Sequence, residues 1–347
     1  MESGQLVDTR RSERVADLLV IGGGPAGCAA AIWSAIHGLN VTLLEAKPFP
    51  RHRPGETLHP GVEPLFRQLG VYAEVLKATA IRHEGHYVRW NGQDRYVPFG
   101  NGESGKWKGY QVLREHLDQI LLSRAKEVGV NVFQPCFARA PIMSAGRIIG
   151  MQTSSGEIQA QFIVDASGAG ACLQRVLRLT PKLYSQPLHA FYGYCEGVMP
   201  VRTRLPMFMA DSDGWTWSAR IGINLYHWSR LSFLSAARCR RPPMWFNSLG
   251  QTGRTGGADV TWRVHTHSAT AGYFLVGDAA AVLDPATSHG VLRALMSGIM
   301  AGHAIAKVVA GALSESRAVA GYSHWLNESF NTDVARLAQV YSHLTAA

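Results

Sequence analysis

Cysteine and charge are both scarce in this chain of 347 residues. Its five cysteines (28, 136, 172, 195 and 239) never form a C-x-x-C pair. That excludes a readable disulfide framework or zinc knuckle and gives no metal-ligand spacing, so a reducing, cytoplasmic setting is the expectation. Charged residues make up only 17% of the chain, but hydrophobic residues reach 46%, too many for a disordered protein. Long apolar runs are lacking as well. The most apolar stretch, 15–36, is broken by Asp17, Gly22, Gly23, Gly24, Pro25 and Gly27, so no membrane span is expected. The polar segment before it lacks the layout of a signal peptide. Lysine is missing from 184–263, although the net charge is +9. With no lysine-rich run and no nucleic-acid-binding fold signature, nucleic acid is not the expected partner.

What is present is organised as alternating strands and helices. Ala16–Ile21 reads as a buried strand, Gly24–Gly38 as a helix and Asn40–Glu45 as a second strand, a βαβ unit with short connections. Prolines 54, 60 and 64 precede a short helix ending at Gly70. Asn91-Gly92 predicts a hairpin between Tyr87–Trp90 and Tyr96–Phe99. Gln111–Val128 has apolar residues at helical spacing, and Phe137–Val164 reads as a three-stranded meander with turns at Ser144-Ala145-Gly146 and Ser154-Ser155-Gly156. The segment 184–263 reads as strands and holds five of the nine tryptophans. Tyr273–Val276 reads as a strand, Gly290–Ala310 as a long apolar helix and 318–347 as helical.

Gly22-x-Gly24-x-x-Gly27 follows the first strand and opens the first helix, and Glu45 ends the next strand. Each part has a physical task. Gly22 permits a tight turn, Gly24 lets backbone approach a pyrophosphate, Pro25 and Ala26 begin the helix, and Gly27 allows close packing on the sheet. The helix N-terminus then faces the phosphates, and the carboxylate accepts ribose hydroxyls. Glu45 opposes a 2′-phosphate, so FAD or NAD is expected rather than NADP.

Three further segments bear on that choice: Tyr110-Gln111-x-x-Arg114-x-x-x-Asp118, Ile163-Val164-Asp165-Ala166-Ser167-Gly168, and Gly277-Asp278-Ala279-Ala280 leading through Asp284-Pro285 to Ser288-His289-Gly290-Val291. With them, roughly residues 16–310 resemble the FAD-dependent aromatic hydroxylases and halogenases. The resemblance implies an α/β fold: a Rossmann-like FAD-binding domain of the aromatic hydroxylase or glutathione reductase type, with a β-meander and an interleaved mixed-sheet substrate domain. The expected boundaries are a polar tail at 1–15, an FAD-binding domain from 16–80, 107–180 and 268–312, a substrate domain from 81–106 and 181–267, and a helical segment at 313–347. It also implies that Arg53, Gln111 and Arg114 border the pyrophosphate, that Asp278 reaches the ribityl side, and that Gly290, Val291 and Leu292 cradle the isoalloxazine edge. No second Gly-x-Gly-x-x-Gly is present, so NAD(P)H acting transiently and reduced flavin from a separate reductase both stay open as electron source.

Within that group, Arg53-Pro54-Gly55-Glu56-Thr57-Leu58-His59-Pro60 and Asp284-Pro285-x-x-Ser288-x-Gly290-Val291 look most like the halogenase branch. Three of its marks are altered. The paired tryptophans stand in Trp215-Thr216-Trp217-Ser218-Ala219-Arg220, without the following Ile-Pro of W-x-W-x-I-P. His83 stands at the position of the halogenase catalytic lysine, with Lys77 out of register, and His289 replaces the small residue before Gly290. These departures place hydroxylation of an electron-rich aromatic, through a C4a-hydroperoxyflavin, ahead of halogenation. His83, His59 and Glu56 are the acid/base candidates. The Pro-Gly-Glu-Thr-Leu-His-Pro wording also resembles flavoproteins that modify protein-bound tryptophan during quinone cofactor maturation. A protein or peptide substrate would suit the nine arginines against three aspartates between 201 and 263. A geranylgeranyl reductase-like enzyme and a non-catalytic flavoprotein are the other readings.

Overall fold

The structure is a computed structural model that describes residues 16–90, 92–102, 105–199, 205–233 and 241–345. The anticipated βαβ unit is its centre. Ala16–Ile21, whose hydrophobic side chains are almost entirely buried, pairs in parallel with Val41–Leu44 on one side and with the second half of Gly156–Asp165 on the other. Asn131–Phe133 and Tyr273–Leu275 extend the parallel sheet outward. The first half of Gly156–Asp165 instead turns antiparallel to Arg147–Thr153, which pairs with Ala138–Ser144. One ten-residue strand thus serves both the parallel sheet and the meander.

Two helices cover one another beside this sheet because small residues let them. A Cβ at Gly298 would lie 2.2 Å from the Ala26 carbonyl oxygen, and one at Gly302 would lie 2.9 Å from Ser34 Oγ. Gly290–Val309 can therefore press directly on Pro25–Ile36. By length and composition, Gly290–Val309 is also the one helix among the described residues apolar enough to cross a membrane, and most of it is buried inside the fold.

A second, seven-stranded sheet runs in the order Gly250–Asp259, His189–Glu196, Leu225–Ser232, Gly214–Arg220, Met207–Asp211, Gly85–Trp90, Gln93–Pro98. All its neighbours are antiparallel except Met207–Asp211 with Gly85–Trp90. The hairpin anticipated from Asn91-Gly92 is present between Gly85–Trp90 and Gln93–Pro98, with Asn91 itself outside the described residues. Between the two large sheets, Thr57–Leu58, Gly109–Gln111 and Ile81–His83 form a small antiparallel sheet. It brings Glu56, Gln111 and His83 to the junction.

The last helix, Glu315–Thr345, starts earlier than the sequence pattern suggested and packs along Gly290–Val309. The arginine-rich segment is less open than its composition implied. Arg230 holds Asp211 through two hydrogen bonds of 2.7 and 2.9 Å, Arg263 pairs with Asp259 at 3.0 Å, and Arg220 donates to the Gly222 and Ile223 carbonyls. Neighbouring carboxylates and carbonyls thus hold these three charges. Arg202, Arg204, Arg238 and Arg240 lie outside the described residues.

Candidate flavin site and histidine chamber

The glycine turn has the geometry its spacing predicted. Gly22 takes φ +105°, which a side chain would resist, and a Cβ at Gly27 would lie 1.9 Å from the Gly22 carbonyl oxygen. Gly24 differs: a Cβ there would meet only Arg51 Nη2, at 3.5 Å. Its backbone is open to approach on the side where the Pro25–Ile36 helix begins. Glu45 is buried and accepts from the Gly23 amide at 2.8 Å and the Lys47 amide at 2.9 Å.

The guanidinium beside this turn is Arg51's, which sequence reasoning missed in favour of Arg53. Arg51 Nη1 lies 3.3 Å from Asp118 and Nη2 lies 3.7 Å from Glu45, while Arg53 is exposed. Arg114 sits across from it, paired with the fully buried Asp118 and donating to the Pro54 carbonyl at 3.0 Å. Gln111 is buried with its Oε1 on Thr57 Oγ1. Asp278 is accessible to solvent although protein surrounds it and Arg293, Arg114, Arg263 and Arg53 bear on its charge. Asp278 lies inside the Gly277–Ala279 turn, which Val276 precedes. At the far end, a Cβ on Gly290 would meet nothing within 4 Å.

These residues fit a dinucleotide. Arg51 Nε, His52 Nε2, Gln111 Nε2, His83 Nε2 and His227 Nδ1 are buried polar atoms without a hydrogen-bond partner, and all five belong to segments bordering the junction. Orphaned buried donors and acceptors are costly unless a ligand or water satisfies them.

Beside Gly290 the structure gathers four histidines from distant parts of the chain. Phe99 lies 5.5 Å from His59, 5.3 Å from His83 and 6.0 Å from His86 between ring centroids. His59 meets His289 at 4.7 Å, and His86 meets Trp217 at 5.8 Å. Burial holds all four rings toward the neutral form, His83 and His289 with pKa lowered to about 4. Their tautomers follow from their partners. The Gly61 amide donates to His59 Nδ1 at 3.0 Å, so Nε2 carries the proton. His83 Nδ1 donates to the Gly85 carbonyl at 3.0 Å, leaving Nε2 bare.

Of the three acid/base candidates, His59 and His83 therefore share one aromatic chamber, and Glu56 does not. Glu56 is buried in a separate network, accepting from Tyr194 OH at 2.6 Å and the Gly55 amide at 2.8 Å, with His227 Nδ1 at 3.8 Å. His83 is only 2% exposed, and its Nε2 lies against Gly109. His59 is partly exposed. Lys77 lies outside the chamber, 73% exposed and paired with Glu74 at 2.7 Å. Among the described residues no cluster of three or more His, Cys, Asp or Glu is arranged to hold a metal ion.

Known proteins share this fold. The family model described as FAD dependent oxidoreductase matches residues 17–176, and the model described as tryptophan halogenase matches 106–345. A tryptophan 2-halogenase of Chondromyces crocatus is 28% identical over 88% of this chain and 64% of its own length. A flavin-dependent halogenase of Armillaria mellea is 27% identical over 95% of this chain and 75% of its own. Among solved structures, the myxobacterial chondrochloren halogenase superposes with a TM-score of 0.83 at 26% identity, covering 95% of this chain and 82% of that one. A flavin-dependent brominase gives 0.82 at 23% identity, covering 94% and 88%, a likeness of fold. These relatives favour the halogenation that the altered motifs had placed second. With the halogenase match covering more than half of its length and the FAD-oxidoreductase match covering the glycine turn, this chain belongs to the tryptophan halogenase family of FAD-dependent proteins.

Proposed function

We propose that the protein is an FAD-dependent enzyme that delivers an electrophile to an electron-rich aromatic ring, with halogenation as the first reading. The observation that carries it is that backbone is open at both Gly24 and Gly290, with Arg51 beside the first and the histidine rings beside the second. The backbone of Gly22, Gly24, Pro25, Ala26 and Gly27 would receive the pyrophosphate, with Arg51, Gln111 and Arg114 beside it. Glu45 would take the ribose, Asp278 the ribityl side, and Gly290, Val291 and Leu292 the isoalloxazine edge, where a helix N-terminus favours negative charge. Bound FAD, once reduced by NAD(P)H or supplied reduced by a separate reductase, provides the electrons that convert dioxygen into an electrophilic oxidant.

The chamber's own residues do the rest. Phe99, Trp217 and the neutral imidazole faces offer stacking surfaces to a flat ring and keep bulk water away. His59 supplies an Nε2–H donor, the best placed of the three acid/base candidates. Relatives that act on tryptophan and on a pyrrole-2-carbonyl group carried by a protein support an indole- or pyrrole-like ring as substrate.

Hydroxylation is the second reading, and one observation favours it. The position matching the halogenase lysine holds a buried neutral imidazole, His83, and Lys77, the lysine before it in sequence, is turned to solvent. Reaction of the reduced FAD-loaded protein with 18O2 and bromide separates the two readings. The mixture should contain indole, pyrrole and phenol, and an enolisable 1,3-diketone that reports released hypohalous acid. Halogenation predicts bromine replacing ring or diketone hydrogen by mass spectrometry. Hydroxylation predicts one 18O in the ring product and an untouched diketone. Release of every oxidising equivalent as hydrogen peroxide in all mixtures would overturn both.

A further inference from the structure

We propose that Tyr341, near the end of the last helix, is a positioning residue for the turn that presents Gly290 to the flavin; the proposal rests on the FAD reading above. Asp284 immediately precedes that turn and is completely buried. One of its oxygens accepts from the Ala286 amide at 2.7 Å and so caps Pro285–Thr287. Its other oxygen accepts a short hydrogen bond from Tyr341 OH. The same Tyr341 oxygen accepts from Trp215 Nε1 at 2.9 Å. One hydroxyl therefore joins the last helix, the seven-stranded sheet and the turn before Gly290–Val309.

The ring carrying that hydroxyl is itself fixed. Tyr341 lies edge-on to Trp262 at 5.4 Å and to Phe233 at 5.3 Å. Beyond the capped turn, Ser288 adopts φ +52°, a left-handed conformation that a serine holds only when its neighbours are constrained. His289 and Gly290 follow directly. Arg293, in the first turn of the helix, is tied to Asp333 of the last helix at 3.2 Å. Both ends of the Asp284–Arg293 segment are thus anchored to the same helix, and that anchoring sets where its first backbone N–H groups lie. Removal of the Tyr341 hydroxyl takes one donor from a buried carboxylate on which the Trp215 and Trp262 indoles also bear, so the turn relaxes toward those donors.

Tyr322 provides a matched control on the same helix. Its buried hydroxyl donates to the Leu275 carbonyl at 2.6 Å, on a strand of the parallel sheet rather than on the flavin turn. The test compares Tyr341→Phe, Trp215→Phe and Tyr322→Phe in full-length protein loaded with FAD. The readouts are thermal midpoint, FAD affinity, visible spectrum and flavin midpoint potential. Tyr341→Phe should retain FAD within about threefold, because the ADP half is bound elsewhere. It should lower the preference for reduced over oxidised flavin roughly tenfold, about 30 mV for a two-electron couple, with a shifted flavin absorption band. Trp215→Phe should move both in the same direction by less. Tyr322→Phe should lose comparable thermal stability with potential and spectrum unchanged. An unchanged potential and spectrum in Tyr341→Phe, or an equal shift in Tyr322→Phe, overturns the positioning role. Wild-type protein that fails to bind FAD overturns the reading beneath it.

Discussion

His59 and His289 meet edge to face with ring centroids 4.7 Å apart, and burial disfavours a proton on either ring. A buried histidine held neutral makes the folded state resist protons that the unfolded chain accepts. Between about pH 6.5 and pH 4 the unfolded state therefore binds more protons, so stability falls as pH falls. His83 and His289, each lowered to about 4, are expected to contribute roughly 1–3 kcal/mol apiece to that loss. Chemical denaturation across this range should show the slope, and His289→Gln should flatten it. A stability that is level from pH 7 to pH 4.5 would exclude neutral buried rings.

Arg51 rather than Arg53 should govern cofactor affinity. Arg51→Met removes the cation held between Glu45 and Asp118, leaving two carboxylates near the glycine turn without it. FAD affinity should fall at least tenfold, because charge-assisted bonds to phosphate are worth about 1.5–3 kcal/mol. Arg53→Met should weaken binding by less than threefold. Isothermal titration of the two variants side by side checks the ranking, and the reverse order would refute it.

Helix packing makes a separate demand. Gly298→Val places a branched side chain where even a Cβ would approach the Ala26 carbonyl oxygen to 2.2 Å. The two helices must separate, and overpacking of this kind costs about 1–3 kcal/mol. Urea unfolding should report that loss. A variant as stable as the parent would show that the helices are not closely packed.

The central unit was legible because its signals are local. Strand, glycine turn, helix and acid all fall within 16–45, and each is dictated by neighbours in sequence. Arg51 and Arg53 are equivalent in a linear reading, and only the tertiary position of Asp118 separates them. The small sheet at the junction escaped because its strands are two or three residues long, too short to show a period. The histidine chamber draws on residues 59, 83, 86 and 289, so no window of sequence contains it. The arginine-rich stretch misled in the other direction: composition counted its charges, while Arg230 and Arg263 spend theirs on Asp211 and Asp259.

His59 offers a direct probe of the chamber. His59→Phe retains an aromatic ring against Phe99 and His289 but removes the Nε2–H donor. Product formed per reduced flavin should fall at least tenfold, within the range removed with a single catalytic hydrogen-bond donor. FAD affinity should stay within about threefold. Unchanged product yield would remove His59 from the reaction.

The claim on which everything else depends is that the Gly22–Gly27 turn holds FAD, and an equilibrium FAD titration of wild type beside Gly24→Val tests it most directly. A Cβ at Gly24 meets only Arg51 Nη2 at 3.5 Å, so the added side chain is compatible with the fold but occupies the path of an approaching phosphate. The account predicts one FAD per wild-type chain, and loss of binding by at least a hundredfold in the variant at a nearly unchanged thermal midpoint. Equal FAD affinity in the two proteins, or none in wild type, would contradict it.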